Sequence, residues 1–248
     1  MTSRIILFEL RFWMRQPQLW IFLGLSFAFC SAIAVLEGGG EGSPGMVHAN
    51  SPLHVYQLYA NLAFLWLPMV TAFVNATAIR DFACRTSDIV FSTVVTRRQY
   101  IIGRFVGSML VALIPVLGIS FGLVIGSWVP YGDPIRFGPN NWLVHVQAIL
   151  WFGLTSIVFQ SALMFAIASH LRSTAAAFVT SIALIVLSGI AASYSEEVDN
   201  AFLSSLLDPF GSRALDQVTR YWSVLEQNTL LLPVTGPLTW NRLLWLAI

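Results

Sequence analysis

The sequence contains no lysine and few charged residues of any kind. Its 248 residues include 13 arginines and 12 acidic residues, whereas soluble domains carry about a quarter charged residues. The P-loop of ATPases needs a lysine that contacts the β- and γ-phosphates, so this chain cannot hydrolyse ATP with that motif. Hydrophobic residues make up 56% of the chain and the mean hydropathy is +0.73. These values indicate an integral membrane protein.

The sequence also has few residues that could bind a metal or form a disulfide. The two cysteines, Cys30 and Cys84, form no CxxC motif, and they lie in an apolar run and in a basic loop, so we expect no disulfide. None of the four histidines is followed by glutamate, which excludes an HExxH zinc motif. We therefore predict no metal site, no cofactor and no catalytic residue in this chain.

Long apolar runs, in contrast, recur along the whole chain. A helix needs about 20 mostly apolar residues to cross a bilayer. We predict an all-α integral membrane protein, a single domain over residues 1–248 with five complete transmembrane helices plus the start of a sixth. The sixth begins near Leu238 and stops at Ile248, so we expect the natural protein to continue further. The five complete spans cover 19–36, 54–79, 101–129, 142–169 and 174–194.

The distribution of arginine predicts the orientation of these spans. Nine of the thirteen arginines fall on the side of the N-terminus if the five spans alternate, and arginine-rich loops face the cytoplasm. We therefore predict a multi-pass protein of the bacterial cytoplasmic (inner) membrane with a cytoplasmic N-terminus. The nine are Arg4, Arg11, Arg15, Arg80, Arg85, Arg97, Arg98, Arg104 and Arg172.

Residues 4–18 have the pattern of an amphipathic helix. At 100° per residue the arginines share one stripe, while Ile6, Leu10 and Trp13 lie opposite. This pattern is typical of an interfacial helix whose arginines lie near anionic headgroups, and Pro17 would end it. The alternative is an N-terminal extension of the first span.

The loop between the second and third spans has helical periodicity as well. Asp81, Arg85, Asp88 and Ser92 recur at spacings of four, three and four, which predicts a short cytoplasmic helix over 80–92 with Asp81–Arg85 and Arg85–Asp88 pairs. Downstream, Thr96 and Gln99 fit a capping box that starts the third span. Arginines in its first turn oppose the helix dipole, so we expect them to bind headgroups or a protein partner.

This order of elements, followed by FSTVVTRRQYIIGRFVG at 91–107, resembles type-2 ABC export permeases. The resemblance implies that the helix at 80–92 is a coupling helix that docks on a separate ATPase subunit. It also implies partners: an ABC ATPase subunit, a second permease half or a second copy, and the lipid bilayer, with no nucleic acid. The predicted coupling residues are Arg80, Asp81, Arg85, Asp88, Arg97, Arg98, Tyr100 and Arg104.

A second patch, residues 206–245, is similar to a subgroup in which the permease precedes a zinc aminopeptidase domain. If so, only the amino-terminal part of such a protein is present. We expect the extracytoplasmic segment 195–241 to form short helices, either as a lid or as a substrate gate. The matching pieces are Asp208–Gly211, Thr219–Trp222, Glu226–Thr229 and Asn241–Arg242.

The second span carries polar residues on one side. They fall within an arc of about 80° at 3.6 residues per turn. They form either a substrate path or interhelical hydrogen bonds together with a proline kink at Pro68. No span has a central charged residue, which favours an energy source outside the chain. The predicted path residues are Gln57, Asn61, Thr71 and Asn75.

The third span contains GISFG at 118–122, which formally matches the GxSxG motif of serine hydrolases. Its glycines recur every four residues, at Gly118, Gly122 and Gly126, which favours close packing between membrane helices. The best interpretation is the permease subunit of an ATP-driven exporter. The alternatives are an intramembrane serine hydrolase that uses Ser120 and His145, or a non-transporting membrane scaffold.

Overall fold

The computed structural model describes residues 1–38, 47–86, 92, 95–128, 134–194 and 201–247. Within these ranges the chain is helical, with short turns and no strand, so the predicted all-α class is confirmed for them. A 3₁₀ turn spans Pro134–Arg136, and a π-helical segment spans Ile149–Leu154. The helices are α1 (Thr2–Met14), α2 (Pro17–Gly38), α3 (Pro52–Leu62), α4 (Trp66–Ala83), α5 (Arg97–Gly126), α6 (Trp142–Ala148), α7 (Thr155–Leu171), α8 (Thr174–Tyr194), α9 (Ala201–Leu207), α10 (Ser212–Thr219), α11 (Val224–Thr229) and α12 (Pro237–Ala247).

Three helical stretches of the described chain are long and apolar enough to cross a membrane: Pro17–Glu37, Arg97–Gly126 and Trp142–Leu171. The pair formed by α3 and α4 qualifies as a fourth span if the two are counted together. The membrane class of the protein is therefore supported with three or four candidate spans. The apolar part of α8, Thr174–Gly189, is shorter, so a fifth span stays a prediction.

The second predicted span is not one continuous helix. Its two halves, α3 and α4, meet at an angle of 52°. Pro68 in the first turn of α4 explains the break. In a continuous helix its ring would clash with the carbonyl four residues earlier, and it has no N–H to donate. Gln160 of α7 donates to the Ala63 carbonyl at 2.9 Å, so a carbonyl at the break keeps a partner. The arc of polar residues predicted on one helix is therefore divided between two.

The longest helix, α5, lies at the centre of the packing and begins at the predicted capping box. The Thr96 hydroxyl accepts from the Gln99 backbone, and the Gln99 side chain accepts from the Thr96 backbone. Glycines along α5 let neighbouring helices approach closely. A Cβ atom at Gly122 would lie 2.5 Å from the Phe27 carbonyl oxygen of α2, and Gly118 and Gly126 also contact α2.

In the described part of the chain, the short helices α9 to α12 cover the end of the bundle opposite α1. Hydrogen bonds connect this cover to the bundle, including one from the Gln147 amide to the Leu232 carbonyl at 2.8 Å. Asn241 of α12 donates to the carbonyls of Ser205, Leu206 and Asp208. Arg242, only 1% exposed, packs against Gly211 so closely that a Cβ atom there would overlap the guanidinium. Contacts among Asp208, Gly211, Asn241 and Arg242 thus hold this cover together. All four belong to the patch 206–245 described in the sequence analysis.

Candidate functional site

A buried group of charged residues joins α1, α4 and α5 at one end of the bundle. Arg104 of α5 donates one hydrogen bond to Glu9 of α1 and another to Asp81 of α4. Arg80 of α4 also donates to Glu9, and the Tyr100 hydroxyl donates to Asp81 at 2.5 Å. We call these five residues the ionic cluster.

Three members of the ionic cluster are almost completely removed from solvent, whereas Arg80 and Tyr100 are half-buried. Glu9 is 0% exposed, Arg104 6% and Asp81 7%. Burying charge is costly unless each charge is paired and hydrogen-bonded, and here two carboxylates face two guanidinium groups. The cluster is therefore electrically balanced, and loss of one member would leave an opposite charge buried.

Burial also changes the acidity of Glu9, which lies outside the candidate membrane spans. It raises the pKa of the Glu9 carboxyl to about 7, whereas the guanidinium of Arg80 lowers it. The proton equilibrium of Glu9 thus falls near neutral pH, so the charge balance of the cluster depends on pH in that range.

Two glycines of α5 and a tryptophan of α1 allow α1 to pack closely against α4 and α5. A Cβ atom at Gly107 would lie 2.8 Å from the Cβ atom of Glu9, and one at Gly103 would lie 2.8 Å from that of Ile5. The Trp13 indole donates to the Thr77 hydroxyl of α4 at 3.0 Å. These contacts bring Glu9 within reach of both arginines, so α1 is fixed to α4 and α5 together.

The structure brings four of the predicted coupling residues together and leaves the others apart. Arg80, Asp81, Tyr100 and Arg104 belong to the ionic cluster. Arg97 and Arg98 are exposed in the first turn of α5, and Arg85 is exposed in a turn. The remaining residue, Asp88, lies outside the described residues.

The predicted helix over 80–92 is not continuous in its described part. Arg80 and Asp81 belong to the last turn of α4, which ends at Ala83. Arg85 then adopts a left-handed φ of 55°, and the amide of Thr86 donates back to the Asp81 carbonyl at 2.9 Å, a typical helix-terminating pattern. The predicted Asp81–Arg85 pair is therefore wrong, because Asp81 pairs with Arg104 instead.

Glu9 is the member of the cluster that the sequence interpretation missed. It is the only acidic residue of α1, and it lies four residues before Trp13, on the apolar face. A single carboxylate on that face is a recognisable signal, because burial there requires a basic partner from another element. The partners lie far away along the chain, 71 residues for Arg80 and 95 for Arg104. Local spacing in the sequence therefore does not identify them.

The predicted path residues do not form one row. Thr71 donates within its own helix to the Leu67 carbonyl at 2.7 Å, which is a local contact. Asn75 is 2% exposed on α4, and Gln57 is half-buried on α3. Asn61, at the end of α3, lines a pocket of about 330 Å³ together with residues of α8 and of the α9–α10 connection.

Ser120 and His145 do meet inside the bundle. The Ser120 oxygen lies 3.1 Å from the Nδ1 atom of His145 and 2.6 Å from the Tyr59 hydroxyl. Both Ser120 and His145 are 4% exposed, and no carboxylate of the described chain pairs with His145. This arrangement satisfies buried polar groups of three helices and lacks the acid of a catalytic triad.

Comparison with known proteins adds one match. A family model described as "ABC-2 family transporter protein" matches residues 47–210, which is more than half of the chain. The matched range includes α3, α4 and α5, and thus Arg80, Asp81, Tyr100 and Arg104 of the ionic cluster. No curated protein and no solved structure matches the chain.

Proposed function

The chain belongs to the ABC-2 family of transporter proteins, and on that premise we propose that it is the membrane permease of an ATP-driven exporter. ATP is hydrolysed by a separate subunit in this proposal. Residues 1–248 contain no lysine, which the P-loop requires, so hydrolysis takes place outside these residues. The permease works with a second permease half or a second copy of itself. Its location is the bacterial inner membrane, with the N-terminus and the ionic cluster at the cytoplasmic face.

The observation that carries this proposal is the ionic cluster. Four of its five residues lie at the last turn of α4 and the start of α5, on both sides of the connection between these helices. The ionic contacts from α4 and α5 meet on Glu9 of α1. A displacement of this connection by an ATPase would therefore move the ends of α1, α4 and α5 as one unit. Rigid movement of packed helices is the usual basis of alternating access.

The proposed orientation rests on the arginines exposed near the cluster. Arg4, Arg11, Arg97 and Arg98 are all exposed at the α1 end of the bundle, which is the pattern of a cytoplasmic surface. In this orientation α1, with 13 residues, is too short to cross the bilayer and lies along the inner leaflet. The helix α8 is the fifth span, and α9–α11 cover the outer face. Membership of the aminopeptidase-linked subgroup rests on residues 206–245.

The test of coupling is charge reversal at the exposed arginines of α5. We expect the double variant Arg97→Glu, Arg98→Glu to lose at least one of two properties. These are co-purification with the co-expressed ATPase subunit and stimulation of the ATPase activity of that subunit. The physical reason is that a docking surface of opposite charge would repel the altered residues. Both residues are exposed, so folding should be unaffected, which thermal unfolding of the purified permease would check.

A matched control is available on α1. Arg11→Glu with Arg15→Glu reverses two exposed arginines at the same end of the protein without altering α5. Undisturbed association and stimulation in the Arg97/Arg98 variant would overturn the coupling role. An equal loss in both double variants would point to total surface charge rather than to a docking site.

A further inference from the structure

A small pocket opens between α1 and α5 beside the ionic cluster. Its volume is about 250 Å³, and it combines two arginines with an apolar wall. Its lining residues are Met1, Arg4, Ile5, Phe8, Val95, Tyr100 and Arg104.

Arg104, which lines the pocket, retains an unused hydrogen-bond donor. The terminal nitrogens of Arg104 contact Glu9 and Asp81, whereas its Nε atom is buried and has no hydrogen-bond partner among the described residues. A buried donor without a partner is unusual and costly in a folded protein. An acceptor that packs against the Arg104 side chain from the pocket would lie next to this donor.

The charges around the pocket favour an anion. Arg4 is exposed, and no carboxylate of the described chain lies within ion-pairing distance of it. Arg4, Arg80 and Arg104 together carry three positive charges, whereas Glu9 and Asp81 carry two negative ones. With Glu9 ionised one positive charge remains, and protonation of Glu9 adds to it, so the surroundings of the pocket favour an anion such as a phosphate diester.

The apolar part of the wall indicates the source of that phosphate. Phe8 lines the pocket and is 54% exposed, and its neighbour Leu7 is 52% exposed. Ile101 and Ile102, which directly follow the lining residue Tyr100 in α5, are also exposed. Apolar surface beside a cationic pocket can pack against the glycerol and acyl part of a lipid. An inorganic phosphate ion has no apolar part that could contact this surface.

We propose that the pocket between α1 and α5 binds the phosphate group of an anionic phospholipid. The phosphate accepts hydrogen bonds from Arg4 and from the Nε atom of Arg104, and the start of the acyl chains lies along Ile5 and Phe8. The lipid joins α1 to α5 from the membrane side and gives the Nε atom of Arg104 a hydrogen-bond partner. This proposal concerns lipid binding alone and stands or falls independently of ATPase coupling.

The test uses the full chain, purified in detergent and offered phosphatidylglycerol or phosphatidylcholine in mixed micelles. Native mass spectrometry counts the lipids that remain bound. We expect one retained phosphatidylglycerol, with its affinity lowered about fivefold by Arg4→Gln, because one basic residue near a lipid surface contributes about 1 kcal/mol. Arg11→Gln, an equal change on the same helix but outside the pocket, should retain the lipid.

The other outcomes are distinct. Equal losses in Arg4→Gln and Arg11→Gln would mean diffuse attraction to surface charge, and the proposed site would be wrong. Equal retention of phosphatidylcholine would also overturn it, because that lipid has no net charge. Displacement of the lipid by an excess of inorganic phosphate would assign the pocket to a soluble anion instead.

Discussion

Replacing Arg104 with glutamine removes the guanidinium that contacts both carboxylates of the ionic cluster. Removing one partner of a buried ion pair costs about 3–5 kcal/mol, because the remaining charge stays buried. In this cluster each acid keeps another partner: Glu9 keeps Arg80 and Asp81 keeps the Tyr100 hydroxyl. We therefore expect the lower end of the range, about 3 kcal/mol.

The protein contains a built-in reporter for this measurement. Cys30 is fully buried, whereas Cys84 is exposed. In a Cys84→Ser background, a thiol-reactive fluorescent dye reports unfolding when Cys30 becomes accessible. For a chain of this size about 1 kcal/mol lowers the Tm by about 2–4 °C, so the expected loss for Arg104→Gln is about 6–12 °C.

The control is Arg11→Gln, the same chemical change at an exposed arginine of α1. Surface substitutions of this kind change stability by about 0.5 kcal/mol or less. If Arg104→Gln and Arg11→Gln gave the same Tm, the ionic cluster would not stabilise the fold, and the argument that it joins the three helices would fail.

Two further predictions concern helix packing and pH. Gly122→Ala should destabilise the protein by about 1–3 kcal/mol, because the new Cβ atom would lie 2.5 Å from the Phe27 carbonyl oxygen. The matched control is Gly24→Ala, where a Cβ atom would have nothing within 4 Å, and it should be neutral or slightly stabilising. Equal Tm values for the two variants would show that close packing at Gly122 does not stabilise the fold. The Glu9 carboxyl has a pKa of about 7 in the folded protein against 4.5 as its ordinary value, so the folded state binds more protons between these values and loses stability as the pH rises from about 5 to about 7. Glu9→Gln should abolish that slope in thermal unfolding measured across the same pH range, and an identical slope in the variant would refute the assignment to Glu9.

Several features of the fold follow from neighbouring residues and were predictable from the sequence. The membrane class follows from composition, and the start of α5 follows from Thr96 and Gln99, because a capping box involves residues three positions apart. The break between α3 and α4 has a local cause in Pro68, where the sequence predicted a proline kink as one of two interpretations of the second span. Short-range patterns therefore indicate where helices begin and end.

The contacts of the ionic cluster were decided by tertiary structure. Local spacing predicts Arg85 as the partner of Asp81, four residues away, but the left-handed turn at Arg85 ends the helix and Arg104 takes that place. Glu9 meets arginines 71 and 95 residues distant, and it does so because Gly107 lets α1 lie directly on α5. Helical periodicity determines which face each residue occupies, whereas the packing of α1, α4 and α5 decides which faces meet, since burying a charge is tolerable only where an opposite charge reaches it.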